Sequence, residues 1–303
     1  MCTAAKWQRS PVKAIMLYTI AILPVMAPRP LPGFDAPLVS QRRSPMSEIE
    51  WRRLKAAELA RLATRNAIVI VPIGATEQHG PHLPSMVDWR CVHEVSHRAA
   101  RLMEKTTPVV VAPTIPYGMS EHHMSLNGTI TLVYATMYAV IRCVVTSAVR
   151  HGFKRIFVLN GHGGNTTALQ NMIGELTVEY KLPFATGTYW DIAAKSIAKL
   201  LEKQKALLHA CEAETSMIMA MAPELVNPDE LSQMHGPYIP GLAAIPTVNE
   251  GVYRWRQLAS RSPIGVIGDA GAASAEKGEK LLAAISADVA EALVNERLWS
   301  EPI

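Results

Sequence analysis

The strongest constraint on how this chain can fold is an alternation. Short apolar runs rich in β-branched residues, at 67–73 (AIVIVPI), 109–112 (VVVA) and 155–159 (RIFVL), are separated by longer stretches of helical period at about 87–104, 135–151 and 166–180. The stretch 183–189 (PFATGTY) reads as a further strand, and 272–298 as a last long helix. Apolar on both faces, such strands belong in a buried and largely parallel sheet covered by helices. The expected class is therefore a layered α/β fold. With 303 residues, 49% of them hydrophobic and 18% charged, there is enough apolar material for one large core, and disorder is excluded. The charge, 30 basic against 26 acidic residues, is too balanced to argue for nucleic acid. Four cysteines (Cys2, Cys91, Cys143, Cys211) at wide spacings form neither a disulfide framework nor a CxxC zinc pattern.

Residues 1–45 stand apart. Lys6, Arg9 and Lys13 precede the apolar run 14–27, the layout of a secretory signal, but Pro24 interrupts it and a bilayer span needs about 20 apolar residues. A Pro-rich stretch, 28–43, follows. The competing reading is a disordered leader or an over-extended reading frame. The run 46–54 (MSEIEWRRL) makes a good helix start, with Ser47 as N-cap and Glu48 and Glu50 in the first turn. The expected organisation is a leader over 1–45 and one folded body over 46–303, without a membrane role for the body. Its location is cytoplasmic unless the 14–27 run directs export.

Polar clusters fall where strands give way to helices, and ligands of open α/β sheets bind at the carboxyl ends of the strands. The first cluster, 74–84 (GATEQHGPHLP) followed by Asp88, combines carboxylates and imidazoles, the donors that zinc and manganese favour. In extended chain Glu77 and His79 point the same way. The second, 160–165 (NGHGGN), would stand His162 at the sheet's edge; it lacks the Lys-Ser/Thr of a phosphate-binding loop. The third, 209–216 (HACEAETS), opens a helical stretch. His209 and Glu214 are joined there by a turn, and Glu212 reads as a first-turn helix residue. A fourth, 117–123 (YGMSEHH), either lines the site or caps it. His93 and His97, four apart on a predicted helix, could clamp a metal but read as a surface pair. Trp190 reads as a wall of a pocket.

These motifs, in this order over about 65–285 and with 265–281 (GVIGDAGAASAEKGEKL) near the end, resemble the creatininase family of metal-dependent amidohydrolases. The resemblance implies a three-layer α/β/α sandwich with a mostly parallel sheet, a two-metal site and a homo-oligomer, commonly a hexamer. It implies that Glu77 and His162 hold one metal, His79 and Glu214 the other, and Asp88 bridges them, with zinc usual and manganese at one position. His209 matches the family's catalytic proton shuttle. Two such ions sharing a water lower its pKa toward neutrality, so a metal-bridging hydroxide does the attack and no Ser or Cys nucleophile is needed. The implied activity is hydrolysis of a small amide, cyclic by analogy with creatinine. The alternatives are a non-amide ring (lactone or cyclic ketone), a formamide and a peptide precursor. From another class comes a catalytically silent, metal-stabilised binding protein. Members that act on creatinine carry a Glu where this chain has Gly164 and a Trp before the catalytic His that this chain lacks. Both departures point away from creatinine. Cys211 stands where Gly is common and places a thiol near the metals, which would add sensitivity to oxidation.

Overall fold

The computed structural model describes residues 48–237, 247–249 and 252–301; the expected leader over 1–45 lies outside the described residues. In chain order the main elements are α1 (Ala56–Thr64), β1 (Ile68–Ile73), α2 (Val87–Met103), β2 (Val109–Val111), α3 (Tyr134–Arg150), β3 (Arg155–Asn160), α4 (Thr166–Tyr180), β4 (Phe184–Thr188), α5 (Tyr189–Ile192), α6 (Ala194–Leu200), α7 (Glu212–Met221) and α8 (Ala275–Val294). The four strands form one all-parallel sheet in the order β2-β1-β3-β4, with Ile68 level with Val109 on one side and Arg155 on the other.

Alternation along the strands builds three layers. Ile68 and Ile70 of β1, Val109 and Val111 of β2, and Phe157 and Leu159 of β3 join one core with the buried faces of α2, α7 and α8. Val69, Val71, Val110, Ile156 and Val158 point the other way, into a second core with α3 and α4, against which Leu59 and Leu62 of α1 also pack. Every residue of β1 is buried, as a strand covered on both faces requires. The result is an α/β/α sandwich.

Two boundaries differ from the sequence reading. The 46–54 run does not begin a helix at Glu48. Ile49 is 1% exposed, its carbonyl accepts the N–H of Val111 at 2.8 Å, and Glu50 bridges Val111 in parallel. The open backbone edge of β2 and the burial of an Ile side chain, worth roughly 1.5–3 kcal/mol, outweigh the local helix signal. Only a short 3-10 turn, Trp51–Arg53, precedes α1. At the other end α8 starts at Ala275 because Ser274 caps it, accepting the Lys277 N–H at 3.2 Å, and it stops at Val294.

Among the described residues no helix is long and apolar enough to cross a membrane.

Candidate metal centre

The chain leaves β1 at Ile73 and carries Glu77 and His79 across the carboxyl end of the sheet. This segment is held from one side, where Ile130 N–H reaches Thr76 O at 2.9 Å and the Gln78 N–H reaches Thr129 Oγ1 at 3.1 Å. Asp88 lies in the first turn of α2, and His162 stands two residues beyond the end of β3. Glu214 is in the first turn of α7. The five side chains, distant in sequence, are all buried, none more than 4% exposed.

They meet as two groups that share Asp88. His79 Nε2 lies 3.1 Å from Asp88 Oδ1 and 3.8 Å from Glu214 Oε1. His162 Nδ1 lies 2.9 Å from Asp88 Oδ2 and 3.3 Å from Glu77 Oε2. Glu77–Asp88–His162 and His79–Asp88–Glu214 therefore each place three ligand atoms within 4.8 Å of one another. Glu77, His79 and His209 make a third such group.

The outer nitrogens show what belongs between these atoms. His79 Nδ1 is 3.2 Å from the Glu77 carbonyl and His162 Nε2 is 3.2 Å from the Met119 carbonyl. A carbonyl only accepts, so each outer nitrogen carries a proton, and each inner nitrogen faces carboxylate oxygens. Despite distances near 3 Å, Glu77 Oε2, His79 Nε2 and Asp88 Oδ2 make no hydrogen bond of good geometry. Buried carboxylate oxygens gathered round the inner nitrogens call for positive charge, as protons on the rings or as cations, and this donor set suits two divalent ions.

Electrostatics tell the same story. Burial raises the carboxyls of Glu77 and Glu214. Asp88 goes the other way: burial opposes its charge, but His79 and His162 on its two oxygens hold it far below the carboxylate range. Burial also works against protonated imidazoles, yet the Asp88 carboxylate keeps His79 well above its ordinary value. Glu77 in the same way keeps His162 up at about 10. Without metal, protons on the two imidazoles balance the carboxylate charge; divalent cations would take their place.

His209 sits at the rim, its Nδ1 3.7 Å from Glu77 Oε1 and its ring 4.2 Å from that of His79. Its Nε2 faces both the main-chain oxygen of Gln78, at 3.0 Å, and the Gln78 side-chain nitrogen, at 3.1 Å. Protonated, this nitrogen donates to the first; unprotonated, it accepts from the second. Burial and the positive charge at His79 push His209 well below its ordinary value, so it is neutral. Ala210 follows at φ 53°, a left-handed turn costing roughly 1–2 kcal/mol for a residue with a Cβ. The turn is held by the Ala210 N–H donating to Glu214 Oε2 and by His209 pairing with Ile267. This is how residues five apart reach one site.

The fourth cluster lines the centre rather than merely capping it. His123 Nε2 is 3.3 Å from Glu77 Oε1, its Nδ1 is 2.9 Å from Gln78 Nε2, and its ring lies 4.6 Å from that of His209. Burial and neighbouring imidazoles push His123 far down, and burial holds His122 at about 3. Ser120 Oγ sits 3.2 Å from His162 Nε2. Position in sequence gives no sign of these contacts, which arise from a 3-10 turn at Glu121–His123.

Glu212 opens α7 as expected, and its burial adds a structural role; other positions differ from their expected places. Glu212 is fully buried, accepts the N–H groups of Glu202 and Lys203 and pairs with Lys277, so it anchors the loop before His209. Trp190 packs on the core and edge-on to Tyr189. His93 and His97 are half-buried and line a separate cavity. The Cys211 thiol is buried, and burial pushes it up to about 12, which disfavours the reactive thiolate in the metal-free protein.

Compared with known proteins, the model of the creatininase family, described as creatinine amidohydrolase, matches residues 52–293. The chain belongs to the creatininase family. It is 32% identical over 220 residues to the mycofactocin precursor peptide peptidase of Mycobacterium ulcerans, a match covering 71% of this chain and 80% of that protein. It is 26% identical over 267 residues to the creatinine amidohydrolase of Pseudomonas putida, covering 83% and 96%. Among solved structures, a candidate creatinine amidohydrolase from Bacteroides fragilis superposes with a TM-score of 0.70 at 28% identity, covering 84% of this chain and 98% of that one. Creatininase has been solved in a Zn–Zn form and with manganese, and these structures share the creatininase fold with TM-scores of 0.68 and 0.65. The family and the two clusters make this protein a metal-dependent hydrolase.

Proposed function

We propose that this hydrolase uses two divalent metals to cleave an amide bond in a peptide, rather than to open creatinine. The observation that carries the metal assignment is the pair of buried carboxylate–imidazole clusters divided by the two oxygens of Asp88. Glu77 and His162 would hold one ion, His79 and Glu214 the other, and Asp88 both. When bound, the ions polarise the scissile carbonyl and lower the pKa of a water to near neutrality.

The chain's own residues complete the reaction. His209 is neutral and its Nε2 is held at Gln78, so Nδ1 is the atom able to take a proton and deliver it to the departing amine. His123 and Gln78 fix the plane of that ring.

The substrate follows from two supports. The mycofactocin precursor peptide peptidases match at up to 32% identity, against 26% for the Pseudomonas creatinine amidohydrolase. In addition, a Cβ at Gly164 would lie 2.2 Å from the Met119 carbonyl oxygen and 2.5 Å from His162 Nε2. No side chain can be seated there without moving a ligand, so the Glu of creatinine-cleaving members has no counterpart. In place of the small cyclic amide expected first, a linear peptide amide is the better reading.

The test is zinc- or manganese-loaded protein incubated separately with a set of linear peptides and with creatinine, products being read by mass spectrometry. Peptide cleavage that chelation abolishes, with creatinine turnover at least about 100-fold slower, is expected. Creatinine opened faster than any peptide would overturn the reading.

A further inference from the structure

Away from this centre, α2 carries the segment His93-Glu94-Val95-Ser96-His97. Its two imidazoles lie on one helix face, ring centroids 4.1 Å apart, and line a cavity of about 330 Å³ with Glu50, Trp89, Val111 and Thr114. His97 Nδ1 is 2.7 Å from the carbonyl of His93, which can only accept, so the His97 proton is on Nδ1 and Nε2 offers a lone pair. His93 Nδ1 is 2.9 Å from Thr114 Oγ1, a hydroxyl able to accept its proton, and in that tautomer the second Nε2 is likewise free. Outer nitrogens held by oxygen acceptors are the arrangement that prepares imidazole for a metal. Burial holds His93 down at about 4, in the neutral form that a metal needs. Glu50 and Arg52, which pair at 2.8 Å, also line the cavity, so its imidazoles are the ligand atoms it offers.

We propose that His93 and His97 form a separate binding site for a divalent transition metal of the imidazole-preferring kind, with water completing the coordination. The segment also reads as the H-E-x-x-H pattern of zinc proteases, in which the Glu is a base. That role is closed here, because Glu94 is engaged by Arg90 at 2.9 Å and by Arg98 at 2.8 Å. The site binds metal and is not a second protease centre.

The test is calorimetric titration with zinc of protein already holding two equivalents. A third equivalent should bind to the parent chain, at least tenfold more weakly to His93→Asn or His97→Asn, and not at all to the double variant. Glu94→Gln should keep it. The first two equivalents and the hydrolase activity report separately on the binuclear centre. In a melting experiment, zinc beyond two equivalents should raise the transition of the parent and not that of the double variant. Identical isotherms for parent and double variant, or loss of the third equivalent in Glu94→Gln, would overturn the proposal.

Discussion

Two imidazoles that the metal-free protein keeps protonated give the residue scale its sharpest consequence. His79 is held well above its ordinary value and His162 at about 10, so a metal entering near pH 7.5 must displace both protons. Loading should therefore release about two protons, read as the dependence of calorimetric heat on the buffer's ionisation enthalpy; no release would place the metals elsewhere. His209→Ala should retain both metals while kcat falls by about 10²–10⁴; unchanged turnover would remove its assigned role. The convergence of the five candidate ligands was legible in sequence because each follows a strand end or opens a helix, as the family motifs do. His123 and Gln78 were not, because their value lies in contacts across 45 and 131 positions of chain. Ala210 was equally hidden: nothing about an alanine announces a left-handed turn.

At the scale of elements, strands and helices could be read well from pattern where burial on both sheet faces makes the pattern unambiguous. The helix 166–180 agrees end to end, and β1 differs by one residue. The failure at 48–50 has a physical cause: the partner of this segment, the open edge of β2, lies some 60 residues away, and local propensity cannot see it. The packing of α7 on α8 shows how an element holds the site. At Gly278, a Cβ would lie 1.9 Å from the Ser216 carbonyl oxygen of α7, two residues past Glu214. Gly278→Ala should push the helices apart, costing about 1–3 kcal/mol in a denaturant melt. It should also loosen the His79–Asp88–Glu214 half of the centre, read as weaker binding of one of two metals. An unchanged melt would mean that α8 does not set the position of α7.

At the scale of the whole molecule, metal and stability are linked. In the metal-free protein His162 has its pKa raised to about 10 against about 6.5 unfolded. The stabilisation it represents is fully present below the unfolded value and is lost as pH rises through the folded one. The melting temperature of metal-free protein should thus fall between about pH 7 and 10, while that of the loaded protein should not, since metal then stands in for the proton. Equal slopes for the two forms would show that the carboxylates are neutralised in another way. The most direct measurement of the central claim is anomalous diffraction at the zinc edge from crystals of the loaded protein. Two peaks are predicted on either side of Asp88, one against Glu77 and His162 and one against His79 and Glu214. A single peak, or peaks that leave the Asp88 carboxylate unshared, would contradict it.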